Sequence, residues 1–286
     1  MDRKINDLYE EYTGGALDRR EFFKKLTVLA GGTAAAYSLM SQFEPGIARA
    51  EIVPKDDPRL HTETVLYPAQ TGDVRAYWAR PKGKENLPGV IVIHENRGLN
   101  DHIRDVTRRM ALEGFLAIAP DALSPFGGTP EDSDQIRERF RELDREKSVG
   151  DFVAAVQYLK THPLTTGKVG CTGFCWGGGM TNQVAVNSPD LTAAVPYYGS
   201  QPDAEDVPKI KASMLLHYAG EDQRINSGIP AFEEALKKAN VDYQIYIYEG
   251  AQHAFNNDTN ESRYNKEAAA LTWKRTIAFF REKLKT

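Results

Sequence analysis

From residue 64 onward the chain alternates between two hydrophobic rhythms. "TVLYPA" (Thr64–Ala69) and "VRAYWARP" (Val74–Pro81) place β-forming residues on either side of Thr71-Gly72-Asp73, which predicts a hairpin. "GVIVIHE" (Gly89–Glu95) is a continuous apolar run, the mark of a strand covered on both faces. A helix is predicted from Asp101, with Ile103, Val106, Met110 and Leu112 toward the core, and "FLAIAPD" (Phe115–Asp121) supplies the next buried strand. A long charged helical region follows through "RERFRELDREKSVGDFVAAVQYLKTH", where Phe152, Val156 and Leu159 keep helical spacing. "KVGCTGF", "AAVPYYG", "SMLLHYAG" and "YQIYIYEG" predict four more strands, and "KEAAALTWKRTIAFFREKL" a final amphipathic helix. Strands alternating with helices predict an α/β domain over 51–286: a mainly parallel central sheet with helices on both faces. Functional loops in such sheets gather at the carboxyl ends of the strands.

The first fifty residues follow a different pattern. Arg19-Arg20, Phe22 and Lys24-Lys25 precede a mildly apolar stretch from Leu26 to Met40, and Ala48-Arg49-Ala50 closes it with small residues around a cleavage point. Basic region, apolar region and A-x-A in that order predict an export signal over residues 1–50. The arginine pair resembles a twin-arginine signal, although Asp18 precedes it where Ser or Thr is usual. That predicts passage through the twin-arginine export machinery to a periplasmic or otherwise exported location. The alternative is an attached amphipathic helix on a cytoplasmic protein, with Ile5, Leu8, Tyr9 and Tyr12 on one face.

Composition narrows the function classes. The 286 residues are 41% hydrophobic, 10% aromatic and 27% charged, with a net charge of −4, as in an ordinary globular protein. No basic excess points to nucleic acid or anionic lipid as the partner. The two cysteines, Cys171 and Cys175, cannot build a four-thiolate metal site or a disulfide framework. Four extended residues separate them by roughly 13 Å, too far to pair. No metal and no organic cofactor is expected.

Three residues stand at predicted strand ends. Gly173-Phe174-Cys175-Trp176-Gly177 fits the strand-to-helix elbow G-x-nucleophile-x-G, with a thiol at the apex. The helix that starts at Trp176 aims its N–H groups at the sulfur, favouring an anion there. Asp222 follows "MLLHYAGEDQRI" in a tight turn, with Glu221 as its local rival. Among six histidines, His61 and His162 lie in connecting segments, His94 and His217 in predicted strands, and His102 at a helix start that could line a pocket. Only His253, in "YEGAQHAF", follows a strand and comes after Asp222. Nucleophile, acid and base in that order fit an acyl-transfer triad: Asp222 orients His253, which takes the thiol proton so that Cys175 attacks an acyl carbon. The oxyanion would meet the backbone N–H groups of Trp176 and Asn96.

These residues, with "VIVIHENRGLN", "APDAL", "VGCTGFCWGGG", "PYYG", "AGEDQRI" and "GAQHAF", resemble the dienelactone hydrolase (carboxymethylenebutenolidase) family of the α/β-hydrolase fold, from about Thr64 to the C-terminus. The resemblance implies a Cys-Asp-His triad at Cys175, Asp222 and His253, and a carboxylate at Glu95 that contacts the resting thiol. It also implies a small-molecule lactone or ester as substrate. Dienelactone-specific members hold the substrate carboxylate with arginines, one of them four residues after the catalytic histidine; here that position is Asn257. Arg97 and Arg224 are then the better placed cations, and Trp176 and Phe255 the candidate apolar walls, while Arg137, Arg139 and Arg141 read as solvated helix charges. A broad carboxylesterase or thioesterase is the alternative enzyme, and a non-catalytic binding protein on the same fold the alternative of another class.

Overall fold

A computed structural model describes residues 4, 5, 8, 11, 17, 19–30 and 52–285. The chain divides into two compact units, Met1–Ala50 and Glu51–Thr286. In the first, helix α1 (Arg19–Leu29) buries Phe22 and Leu26, one turn apart, against Ile5 and Leu8. Ala48-Arg49-Ala50, and the predicted apolar stretch beyond Ala30, lie outside the described residues. No described helix is long and apolar enough to cross a membrane.

The second unit is built on one eight-stranded sheet. Its strands are β1 (Leu60–Ala69), β2 (Gly72–Pro81), β3 (Leu87–Ile93), β4 (Leu116–Pro120), β5 (Thr165–Phe174), β6 (Ala193–Tyr197), β7 (Ser213–Ala219) and β8 (Tyr243–Tyr248), in spatial order β1-β2-β4-β3-β5-β6-β7-β8. The β1–β2 hairpin is antiparallel, with Ala69 facing Gly72, and β2 pairs antiparallel with β4. Every other pairing is parallel. Val90 to Ile93 of β3 and all of β4 and β6 are buried, as the unbroken apolar runs require of strands covered on both faces.

Helices cover the two faces. On one, α4 (Arg145–Thr161) sets Phe152, Val156 and Leu159 against Ile91, Val169 and Cys171, joined by α5 (Trp176–Asn187) and α7 (Ile229–Lys238). On the other, α2 (Asp101–Leu112) and α8 (Lys266–Lys283) bring Ile103, Val106, Met110, Ile277 and Phe280 onto Val90, Val92 and Val195. Leu112 is only partly buried and packs on a small satellite cluster around Val53 and Leu60.

The long charged region is two helices. α3 (Ser133–Glu142) ends where Leu143 turns extended, and Asp144 then caps α4 by accepting from the Lys147 N–H at 3.1 Å. Arg137 and Arg139 pair with Asp134 and Glu142 on the exposed face of α3.

Candidate active site

Cys175 sits where β5, the strand after β3 in the sheet order, turns into α5. Its φ of 57° and ψ of −114° lie far from ordinary side-chain-bearing backbone, so the site stores strain at the one residue whose sulfur it presents. The glycines make the turn possible. A Cβ on Gly173 would lie 2.2 Å from the Gly177 carbonyl oxygen, and one on Gly177 would lie 2.4 Å from that of His94. Helix α5 therefore leaves the strand pressed against the ends of its neighbours, and the Cys175 N–H donates to the Tyr197 carbonyl at 3.1 Å.

The thiol is half-buried and resists ionisation. Burial pushes its pKa up, the charge of Glu95 adds to the effect and that of Asp222 a little more, while the Trp176 N–H and the Arg224 guanidinium oppose them; the result is about 11. The helix start thus acts in the expected sense but loses to burial and Glu95. Among the described residues, no hydrogen bond joins Sγ to Glu95 or to His253. Cys171 is a different kind of cysteine: fully buried in β5, 3.7 Å from Thr181 Oγ1, with burial pushing its pKa up to about 12.

Asp222 and His253 meet at adjacent strand ends. Asp222 is buried after β7, where its side chain also caps the short helix α6 (Gln223–Asn226), whereas Glu221 is exposed. His253 follows β8 and donates from Nδ1 to Asp222 Oδ2. That bond leaves Nε2 with the lone pair, the tautomer a general base needs. The two loops are tied by backbone bonds from Gly220 N–H to the Tyr248 carbonyl (2.8 Å) and from Glu221 N–H to that of Ala251 (2.9 Å).

Glu95 is buried at the end of β3, and its Oε2 accepts from Asn257 Nδ2 at 2.7 Å. Asn257 is fixed in turn, since its Oδ1 accepts from Thr259 N–H (3.0 Å) and Oγ1–H (2.6 Å). The residue in the place of the family arginine is thus a neutral amide engaged within the protein at both its nitrogen and its oxygen. Glu95 reaches the thiol through its charge and is held by Asn257.

His94, set aside in the sequence as a strand residue, supports this corner. Its Nδ1 donates to the Glu95 carbonyl at 2.6 Å and its Nε2 accepts from Ala122 N–H at 3.1 Å, so the ring is neutral, as its burial and lowered pKa require. Trp176 stacks on it at 5.5 Å, with Phe140 of α3 set edge-on to the indole at 5.2 Å.

Of the expected substrate contacts, Trp176 is partly exposed and Arg97 and Arg224 are exposed. Phe255 is not available: it is fully buried beneath Tyr198, at 5.2 Å, because the loop after His253 folds inward there. Tyr198 itself was missed. It follows β6 with φ 38°, and its ring lies 5.1 Å from His253. The signal was present in "PYYG", since a residue between a buried strand end and a glycine occupies the functional edge. His102 does not line the site but is buried 3.0 Å from Asp258. The backbone N–H of Asn96 finds no protein acceptor among the described residues. These residues also include no group of three side chains suited to holding a metal ion.

Replacing Glu95 with Gln removes a negative charge beside the sulfur while leaving an amide of the same shape. The expected result is faster Cys175 alkylation by iodoacetamide at neutral pH, and a rate-against-pH midpoint below that of the wild type measured alongside. An unchanged midpoint would sink the electrostatic role of Glu95.

Known proteins resemble this chain over most of its length. The model of the dienelactone hydrolase family matches residues 74–284. A protein of Saccharolobus solfataricus named "Putative carboxymethylenebutenolidase" is 34% identical over 255 residues, covering 76% of this chain and 97% of its own. One of the same name from Escherichia coli K12 is 33% identical over 265 residues, covering 86% and 97%. Among solved structures, the dienelactone hydrolase-like promiscuous phosphotriesterase P91 from metagenomic libraries is similar with a TM-score of 0.71 and 27% identity, covering 79% of this chain and all of that one. The sheet order, the elbow and a family match spanning most of the second unit lead to one conclusion: this chain belongs to the dienelactone hydrolase family and is a hydrolase of the α/β-hydrolase fold.

Proposed function

We propose that the protein hydrolyses a carboxylic ester or lactone with Cys175 as nucleophile, His253 as base and Asp222 as the group that orients it. The observation that carries this reading is the Asp222–His253 hydrogen bond at two strand ends beside a strained cysteine at a third. In the cycle, His253 Nε2 takes the Sγ proton and the sulfur attacks the acyl carbon, forming a C–S bond. The oxyanion is met by the N–H groups of Trp176 and Asn96. Collapse expels the alcohol or enolate oxygen, which takes the proton from His253. Water then attacks the thioester, giving its proton to His253, and the carboxylic acid leaves as Sγ regains a proton. A thiol suits this cycle because it leaves its own acyl intermediate readily.

A binding-only protein on this fold would need neither the oriented imidazole nor the strained thiol, which favours the enzyme. Within the class, the use of the Asn257 amide by Glu95 and Thr259 removes the anchor that a carboxylate-bearing lactone would need at that position, which favours a neutral ester. The test compares p-nitrophenyl acetate with a dienelactone: kcat/KM should be higher for the neutral ester. The opposite ranking would assign the dienelactone, with Arg97 or Arg224 as its anchor, and failure to cleave either would remove the ester reading.

For residues 1–50, the order of the arginine pair, apolar stretch and A-x-A supports export by the twin-arginine route. Replacing Arg19 and Arg20 by Lys should leave the precursor inside a bacterial cell. Unimpaired export of that variant would favour the cytoplasmic alternative.

A further inference from the structure

The loop after β8 carries both His253 and Asn257, and the next residue, Asp258, is buried. Its Oδ2 accepts from Arg109 Nη2 at 2.6 Å, and its Oδ1 lies 3.0 Å from His102 Nδ1, both on α2. Arg109 also donates from Nε to Asp105 at 2.9 Å. Asp105 is buried too, and accepts from the backbone N–H groups of Ile52 (3.0 Å) and Val53 (2.8 Å). Two carboxylates and a forked guanidinium thus tie the start of the second unit, helix α2 and the histidine loop into one cluster.

We infer that Asp258 is a positioning residue for catalysis: gripped by Arg109 and His102, it fixes the loop that presents His253 to the thiol and Asn257 to Glu95. The inference rests on the reading of His253 as the base. The loop's own bonds are tight turns, Phe255 N–H to the Gln252 carbonyl and Asn257 N–H to that of Ala254, which set its shape but do not anchor it to α2. The Asp258 contacts supply that anchor, five residues from the imidazole. A solvated ion pair here would hold little, but Asp258 is buried and Arg109 largely so, so loss of Asp258 removes the one contact by which Arg109 holds the loop. Burial alone would raise the Asp258 pKa, yet His102 and Arg109 hold its carboxyl well below the usual carboxylate range, so the grip persists across the working pH range.

The experiment measures kcat and KM for p-nitrophenyl acetate on the full chain, with amide hydrogen exchange of residues 253–258. Asp258→Asn should lower kcat roughly 10- to 100-fold with KM within about threefold, because displacements of an ångström in a catalytic group have effects of that size. Exchange in the loop should quicken at least about tenfold, since a loop freed from its anchor opens locally. Arg109→Lys keeps a cation but loses the fork and should fall between the two. Asp151→Asn is the control: Asp151 is an equally buried carboxylate, holding Thr71 N–H at 2.9 Å and Thr71 Oγ1–H at 2.6 Å in the hairpin. It should lose stability with kcat unchanged. A kcat loss in Asp258→Asn no larger than in Asp151→Asn would overturn the inference. If Asp258→Asn does not fold, Arg109→Lys decides by the same comparison. If the wild type cleaves no ester, the proposed function falls, and the loop exchange alone decides: unchanged exchange overturns the anchor, and quickened exchange supports it.

Discussion

Replacing Cys175 by alanine should lower ester hydrolysis by roughly 10⁴-fold or more while the protein stays folded. The sulfur is the only atom deleted, and alanine keeps the Cβ and inherits the φ of 57° with little added strain. The elbow is shaped by Gly173 and Gly177, so the packing that builds it survives the change. Activity falls because His253 then has no nucleophile to deprotonate, and water attacking directly lacks the proximity of a tethered sulfur. The measurement is turnover of p-nitrophenyl acetate beside a thermal melt of the same sample. Retained turnover would remove the thiol from the mechanism, whereas loss of both turnover and the melting transition would show that the sulfur was needed for folding.

Gly177→Ala should cost about 3 kcal/mol or more of stability. The added Cβ would lie 2.4 Å from the His94 carbonyl oxygen and 2.5 Å from that of Ile93. Both are backbone atoms at the end of β3, which is paired in parallel with β4 on one side and β5 on the other. Neither neighbour can move without breaking ladder hydrogen bonds, so α5 must shift instead and take the elbow with it. Gly72→Ala is the contrast: its Cβ meets nothing within 4 Å, and only the strain of φ +113° remains, about 1 kcal/mol. Denaturant midpoints of the two variants test the ranking. Equal losses would mean that the contact across the strand ends is not what constrains the turn.

Much of this was legible in the chain because it is local. Continuous apolar runs marked β3 and β4, and glycines at 173 and 177 marked the turn, since those patterns are set within a few residues. The break at Leu143 was legible in principle, because Asp144 is a good helix cap, but the charged stretch on both sides hid it. The partner of Glu95 was not legible. Asn257 is 162 positions away, and only the sheet order brings the two loops together. The Arg109–Asp258 pair was not legible either, because no short-range pattern separates a buried ion pair from a solvated one. Phe255 failed for a related reason, since a ring beside a catalytic loop faces inward or outward according to the turn it follows.

The protonated resting state of Cys175 bears on how long the protein stays usable in air. Peroxides attack the thiolate, so at neutral pH a sulfur whose pKa is pushed up to about 11 presents far less of the reactive form than a free cysteine. Burial, with the Glu95 carboxylate adding to it, therefore acts as a preservative of the thiol. Relieving it to speed the first chemical step would shorten the life of the catalyst.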